Sequence, residues 1–227
     1  MQSVVFVGRM VEGTAPEIAA LFAKFDASDL PIRANVRRRQ MYTYYDLHIN
    51  VLDFHGEPDA EKIEALKAGP QVAEHQRKLD ELVSPLRPES WRSVADTAAM
   101  PFYLWRQDGW LPATDASHST IVVNRMDSSS IPKVSALFAE LDATDFPSRM
   151  GTRRRQLFTH HDVYFHLQDF PDVDGKAVIA GAWKERDPRF IRICEELDPF
   201  MTVYDPATWR STADQVATPF YHWEPTV

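Results

Sequence analysis

Polar and apolar side chains alternate along two matching stretches, RANVRRRQMYTYYDLHINVLDF from Arg33 to Phe54 and RMGTRRRQLFTHHDVYFHLQDF from Arg149 to Phe170. A period of two sends successive side chains to opposite faces of a strand, so each stretch predicts a two-stranded hairpin. Tyr45-Asp46 and His161-Asp162 are the expected turns, although neither carries the glycine such turns favour. Upstream the period changes: Ile18, Leu21, Phe22 and Phe25 recur at helical spacing, as do Val134, Leu137, Phe138 and Leu141. Thr14 and Glu17 read as a capping box, with Pro16 suited to the first turn. Both helices run out in an acidic segment closed by proline, Asp26–Pro31 and Asp142–Pro147. β-branched apolar runs, Ser3–Met10 and Thr120–Met126, open each half as buried strands. A second helix is expected around Leu79, Leu82, Val83 and Leu86, and another around Phe190, Ile193, Leu197, Phe200 and Met201. PFYLW at Pro101–Trp105 and PFYHW at Pro219–Trp223 read as closing strands.

Shifted by 116 residues without a gap, Arg9–Phe54 matches Arg125–Phe170 at roughly 20 of 46 positions. That similarity implies two copies of one module. The copies realign at Trp91 and Trp209 after a net gain of two residues in the second. The chain thus divides into a first repeat at 1–108, a linker at 109–117 and a second repeat at 118–227. Strand, helix, strand, strand, helix, strand is the order of a ferredoxin-like α+β module with helices on one face of its sheet. The other face needs cover. The two copies turning their sheets toward each other, as a pseudo-dimeric α+β barrel enclosing a chamber, would supply it; pairing with another chain would do so as well.

Composition narrows the partners. A net charge of −8 and a pI near 5.5 argue against nucleic acid or an anionic membrane surface, both of which need a basic face. The single cysteine, Cys194, excludes an internal disulfide, and no metal-binding spacing is present. No stretch is apolar enough for a secretory signal or a membrane span, so a cytoplasmic location is expected.

Strand periodicity puts Arg37 with Arg39 on one face and Arg38 on the other, and likewise Arg153 with Arg155 against Arg154. Tyr164, His166 and Gln168 share a face in the following strand, so an arginine pair can sit beside a histidine. An ordinary imidazole pKa of about 6.5 suits His166 for acid-base work near neutrality. Arginine offers fixed charge and planar donors to a developing oxyanion. Aromatic residues Tyr164, Phe158, Trp209, Phe220, Tyr221 and Trp223 are candidates to line a slot.

AKFDASDLP and AELDATDFP at the helix ends, GTRRRQLF, HLQDF, YDPATWRS and the FYxW tails occur in fixed order. In this combination the chain resembles the TcmI-type aromatic polyketide cyclases, and the resemblance covers nearly all of both halves. It implies a role in bacterial type II polyketide biosynthesis: ring closure of a polyketide intermediate by intramolecular aldol condensation with loss of water. It implies no metal or organic cofactor, and it makes other synthase components possible partners and a homo-oligomer a possible state. Carried over by position, the implicated polar residues are Asp142, Arg155 and His166, with Asp26, Arg39 and Asn50 in the first half. Arg153, Arg37, Tyr164, His48, Asn50 and Trp209 are the expected substrate contacts. Asn50 cannot exchange a proton near neutral pH, which favours the second half as the active one, with His48 as a partial substitute in the first. Two alternatives keep the fold: a cofactor-independent oxygenase, and a non-catalytic polyketide-binding or chaperone-like subunit.

Overall fold

In a computed structural model the chain is described over residues 3–56, 61, 65, 66, 68–110, 117–171 and 175–225. The strands are β1 Val4–Met10, β2 Val36–Tyr44, β3 Leu47–Phe54, β4 Val83–Pro85, β5 Met100–Arg106, β6 Ser117–Met126, β7 Arg154–His160, β8 Val163–Pro171, β9 Met201–Val203 and β10 Thr218–Trp223. The helices are α1 Ala15–Asp26, α2 Leu30–Arg33, α3 Pro70–Asp80, α4 Ile131–Asp142, α5 Phe146–Arg149, α6 Gly175–Glu185 and α7 Pro188–Leu197. Residues 111–116 of the expected linker lie outside the described set. Among the described residues no helix is long and apolar enough to cross a membrane.

Two antiparallel five-stranded sheets result, ordered β10-β2-β3-β1-β4 and β5-β7-β8-β6-β9. Each repeat's last strand therefore pairs in the sheet built from the other repeat: β10 runs against β2, and β5 against β7. The compact units are accordingly Met1–Ala99 with Thr218–Val227, and Met100–Ala217. Both exchanged strands are edge strands bearing a proline, Pro101 or Pro219, and the ladder shifts register just after it. A residue without an N–H is tolerated there and not in a central strand.

The expected two-residue turns form, with Tyr45 at φ 51° and His161 at φ 55°. Asn35 at φ 64° and Gly151 at φ 76° also share the left-handed region, which explains why asparagine stands where the second repeat has glycine. Three expectations change. Thr14 donates its hydroxyl to the Val11 carbonyl and makes no side-chain cap, so the capping box is not formed. Pro31 and Pro147 open the short helices α2 and α5, where a missing N–H costs nothing. Leu82, Val83 and Leu86 lie beyond the end of α3, and Val83 begins β4; Phe200 and Met201 likewise lie beyond α7.

Helices cover one face of each sheet. In the second unit Val134, Leu137, Phe138 and Leu141 of α4 pack with Leu157, Tyr164 and Ile193. In the first, Ile18 and Phe22 of α1 pack on Met41. This layer, between helix and sheet, holds the polar clusters described next.

Candidate functional site

Asp142 ends α4, is 6% exposed, and sits where the helix dipole disfavours a carboxylate. It is held there by donors. Arg155 Nε lies 3.1 and 3.0 Å from its two oxygens, and the Tyr103 hydroxyl donates to Oδ2 at 2.9 Å. Burial raises the carboxyl's pKa, while the Arg155 charge and the Tyr103 hydrogen bond pull the other way. The guanidinium carbon of Arg155 stands 4.9 Å from the Phe138 ring centre, a cation–π contact that fixes its plane. Arg155 Nη2 makes no hydrogen bond among the described residues.

Arg155 Nη1 is 2.7 Å from His166 Nε2. Arginine can only donate, so Nε2 accepts and the neutral ring carries its proton on Nδ1. Nδ1 has no partner among the described residues. Burial, and then the Arg155 charge, hold His166 well below the ordinary imidazole pKa. The ring is thus a neutral donor with its basic nitrogen already engaged, rather than the half-protonated group its ordinary pKa suggests. Along Val163–Phe170 His166 alone is not fully buried. Beside it, the Tyr164 hydroxyl and the Oδ1 of its cross-strand neighbour Asn124 are buried without hydrogen-bond partners, a condition that costs stability unless something fills it.

The first unit repeats the frame with different chemistry. Arg39 Nε lies 2.9 Å from Asp26 Oδ2, and the Tyr221 hydroxyl donates to the same oxygen at 2.9 Å. Arg39 Nη1 donates to Asn50 Oδ1 at 3.3 Å, and Asn50 is buried. His48 does not reach this pair; its Nε2 is 3.4 Å from Met41 Sδ, and burial lowers its pKa to about 4.

The middle arginines take the opposite face, as periodicity requires. Arg154 Nη2 is 2.7 Å from Asp169, and Arg38 Nη2 is 2.6 Å from Asp53, both pairs fully buried. Arg37 departs from its expected alignment with Arg39: a register shift between Val36 and Arg38 brings it to Asp53 as well, at 3.3 Å. Arg153 precedes β7 and donates to Gln107 Oε1 at 2.5 Å, away from the cluster. Trp209 is 38% exposed, just after the turn at 206–208. Phe158 lies across from Phe165, on the face opposite His166. Phe220, Tyr221 and Trp223 pack in the first unit, not the second.

Two placements were not legible beforehand. The cluster of Arg155 and His166 lies inside the helix-sheet layer of one unit, because Asp142 and Phe138 of α4 hold the arginine. Tyr103 was missed because it lies in the other repeat's sequence. Its only signal is the shared tyrosine of PFYLW and PFYHW.

The family model for polyketide synthesis cyclases matches twice, over residues 2–106 and 118–224. An uncharacterized protein of Streptomyces coelicolor is 39% identical over 110 residues, covering 48% of this chain and 96% of that protein. Tetracenomycin F2 cyclase of Streptomyces glaucescens is 33% identical over 108 residues, covering 47% of this chain and 94% of the cyclase. One half of the chain thus spans nearly the whole of either relative. Among solved structures, an anthrone oxidase-like protein superposes with a TM-score of 0.56 at 8% identity over 98% of this chain and 92% of the other, a likeness of fold alone.

Proposed function

The chain belongs to the polyketide synthesis cyclase family, and on that premise we propose that its second unit closes a ring in an aromatic polyketide intermediate of a bacterial type II synthase by intramolecular aldol condensation and dehydration. The observation that carries this reading is the pair of unspent donors, Arg155 Nη2 and His166 Nδ1–H, on a frame anchored by Asp142 and Tyr103.

In the proposed reaction a methylene between two carbonyls loses a proton, and the resulting enolate carbon bonds to a ketone carbon of the same chain. The ketone oxygen becomes an alkoxide, takes a proton, and leaves with a neighbouring hydrogen as water. Negative charge therefore develops on oxygen twice. Fixed donors in a water-poor layer stabilise such charge better than mobile water does. Arg155 supplies the cationic donor, and Asp142 keeps its plane from turning. His166 supplies a neutral N–H donor, its tautomer set by Arg155 as in other sites where a low-pKa imidazole polarises a carbonyl. Asp142 is committed to Arg155 and Tyr103, so the proton of the already acidic methylene passes to solvent through enolisation. The Tyr164 hydroxyl can donate to a bound keto oxygen, and Asn124 Oδ1 can accept from an enol or phenol hydroxyl. In the first unit Asn50 replaces the imidazole donor, which leaves that unit a support or a site of different use.

The test is product analysis. Incubating the protein with a partly cyclised aromatic polyketide should accelerate appearance of a product lighter by one water, without oxygen uptake. Oxygen consumption with a product heavier by oxygen would replace cyclisation with oxygenase chemistry. Saturable binding without acceleration would reduce the protein to a carrier of the intermediate.

A further inference from the structure

The first unit has a cavity of about 290 Å3 between α1 and α3, lined by Leu21, Lys24, Phe25, Leu30, His75 and Lys78 among others. None of its lining belongs to the His166 cluster. Its presence follows from substitutions between the repeats. With α3 aligned on α7 from Pro70 and Pro188, His75 corresponds to Ile193, Val72 to Phe190 and Leu30 to Phe146. In the second unit Ile193 is core, and Phe146 stacks on Phe190 with ring centres 6.4 Å apart. Leu30, which lines the cavity, is smaller than Phe146 and leaves part of that volume unfilled.

The charges differ too. Arg192 of the second unit ties α7 to α4 through Glu140 at 3.2 Å. The corresponding residues of the first are Glu74 and Lys24, and Glu74 is taken by Lys78 on its own helix at 2.7 Å. Lys24 makes no hydrogen bond among the described residues, although its charge also acts on Glu74. The His75 ring packs 4.6 Å from Phe22 and 4.3 Å from Phe25, centre to centre, and its nitrogens have no hydrogen-bond partner among the described residues. An apolar floor, a ring wall, an imidazole without a hydrogen bond and two ammonium groups, Lys24 and Lys78, against the single carboxylate of Glu74 thus surround one space.

We propose that this cavity binds a one- or two-ring aromatic molecule bearing an acidic group, a phenol or carboxylate, at a site separate from the ring-closing cluster. The volume is roughly twice the 150 Å3 that accommodates benzene, which sets the ring count. Phe25 and His75 stack on the ring, and Lys24 meets the anion. The site stands whether or not the second unit closes rings.

The probe is 1-hydroxy-2-naphthoate, titrated calorimetrically into the full chain, with 2-naphthol as its uncharged counterpart. Saturable one-to-one binding is expected. The filling variant Leu30→Trp with Leu21→Phe, both at lining positions, abolishes it, and His166→Asn leaves it unchanged. Lys24→Gln, on an exposed rim where folding is not at stake, weakens the naphthoate about tenfold and the naphthol hardly at all. Absence of saturable binding in the unmodified chain would overturn the proposal, as would binding that survives filling or disappears with His166→Asn. Equal effects of Lys24→Gln on both probes would overturn the assignment of an anionic ligand.

Discussion

Tyr103, on the last strand of the first repeat, donates its hydroxyl hydrogen bond at 2.9 Å to Asp142, at the end of the first long helix of the second. Tyr221 returns the relationship to Asp26 at the same distance. Each buried Asp-Arg pair is therefore completed by a side chain encoded in the other half. Tyr103→Phe should lower stability by about 1 kcal/mol and slow ring closure by letting Arg155 turn. Tyr221→Phe should cost similar stability and leave the rate unchanged. Thermal melts read beside single-turnover rates check the pair.

Exchange of closing strands predicts how truncation acts. Deleting residues 218–227 removes β10 from the edge of the first unit's sheet and leaves the second unit's strands intact. Hydrogen exchange of the truncated chain should show loss of protection in β2 and none in β7.

The middle arginines serve the fold. Arg154 and Asp169 are both 0% exposed and lie directly opposite each other in the β7-β8 register. Asp169→Asn leaves a buried cation uncompensated and should cost about 3–5 kcal/mol, visible as a large drop in the denaturation midpoint. The same loss is expected for Asp53→Asn.

Stability should fall on the acid side of neutrality. Unfolded His48 takes up a proton below about 6.5, whereas folded His48, held down first by burial and then by Arg39, stays neutral to about 4. Between those values the unfolded state binds more protons, so stability is full above about 6.5 and declines as pH falls, by at most about 1.4 kcal/mol per unit. His166 is shifted in the same direction. Melting temperatures at several pH values should show this slope, and His48→Leu should reduce it by the share of one histidine, His75 and His166 keeping theirs.

Much of this frame was legible in the sequence, because local periodicity carries it. The hairpins, their two-residue turns, the helical stripes ending at Asp26 and Asp142, and the opposite facing of Arg38 and Arg154 all follow from repeats of two or 3.6 residues. Long-range choices were not legible. PFYLW and PFYHW differ by one residue, so either could pattern-match β2 or β7, and nothing local says which arginine strand each will join. The register shift that turns Arg37 toward Asp53 breaks strict alternation without a glycine to announce it. His166 needed its partner's geometry. Only the 2.7 Å contact with Arg155 reveals which ring nitrogen is left to donate.

The most direct measurement compares matched substitutions in the two units: single-turnover cyclisation of a partly cyclised aromatic polyketide by Arg155→Lys and by Arg39→Lys, each confirmed folded. Lysine keeps the charge and loses the fork that joins carboxylate to imidazole. The Arg155 variant should be slower by about a hundredfold, the scale of losing one oxyanion donor, and the Arg39 variant should match the unmodified chain. Equal rates in all three proteins, or a loss confined to Arg39→Lys, would contradict the assignment of ring closure to the second unit.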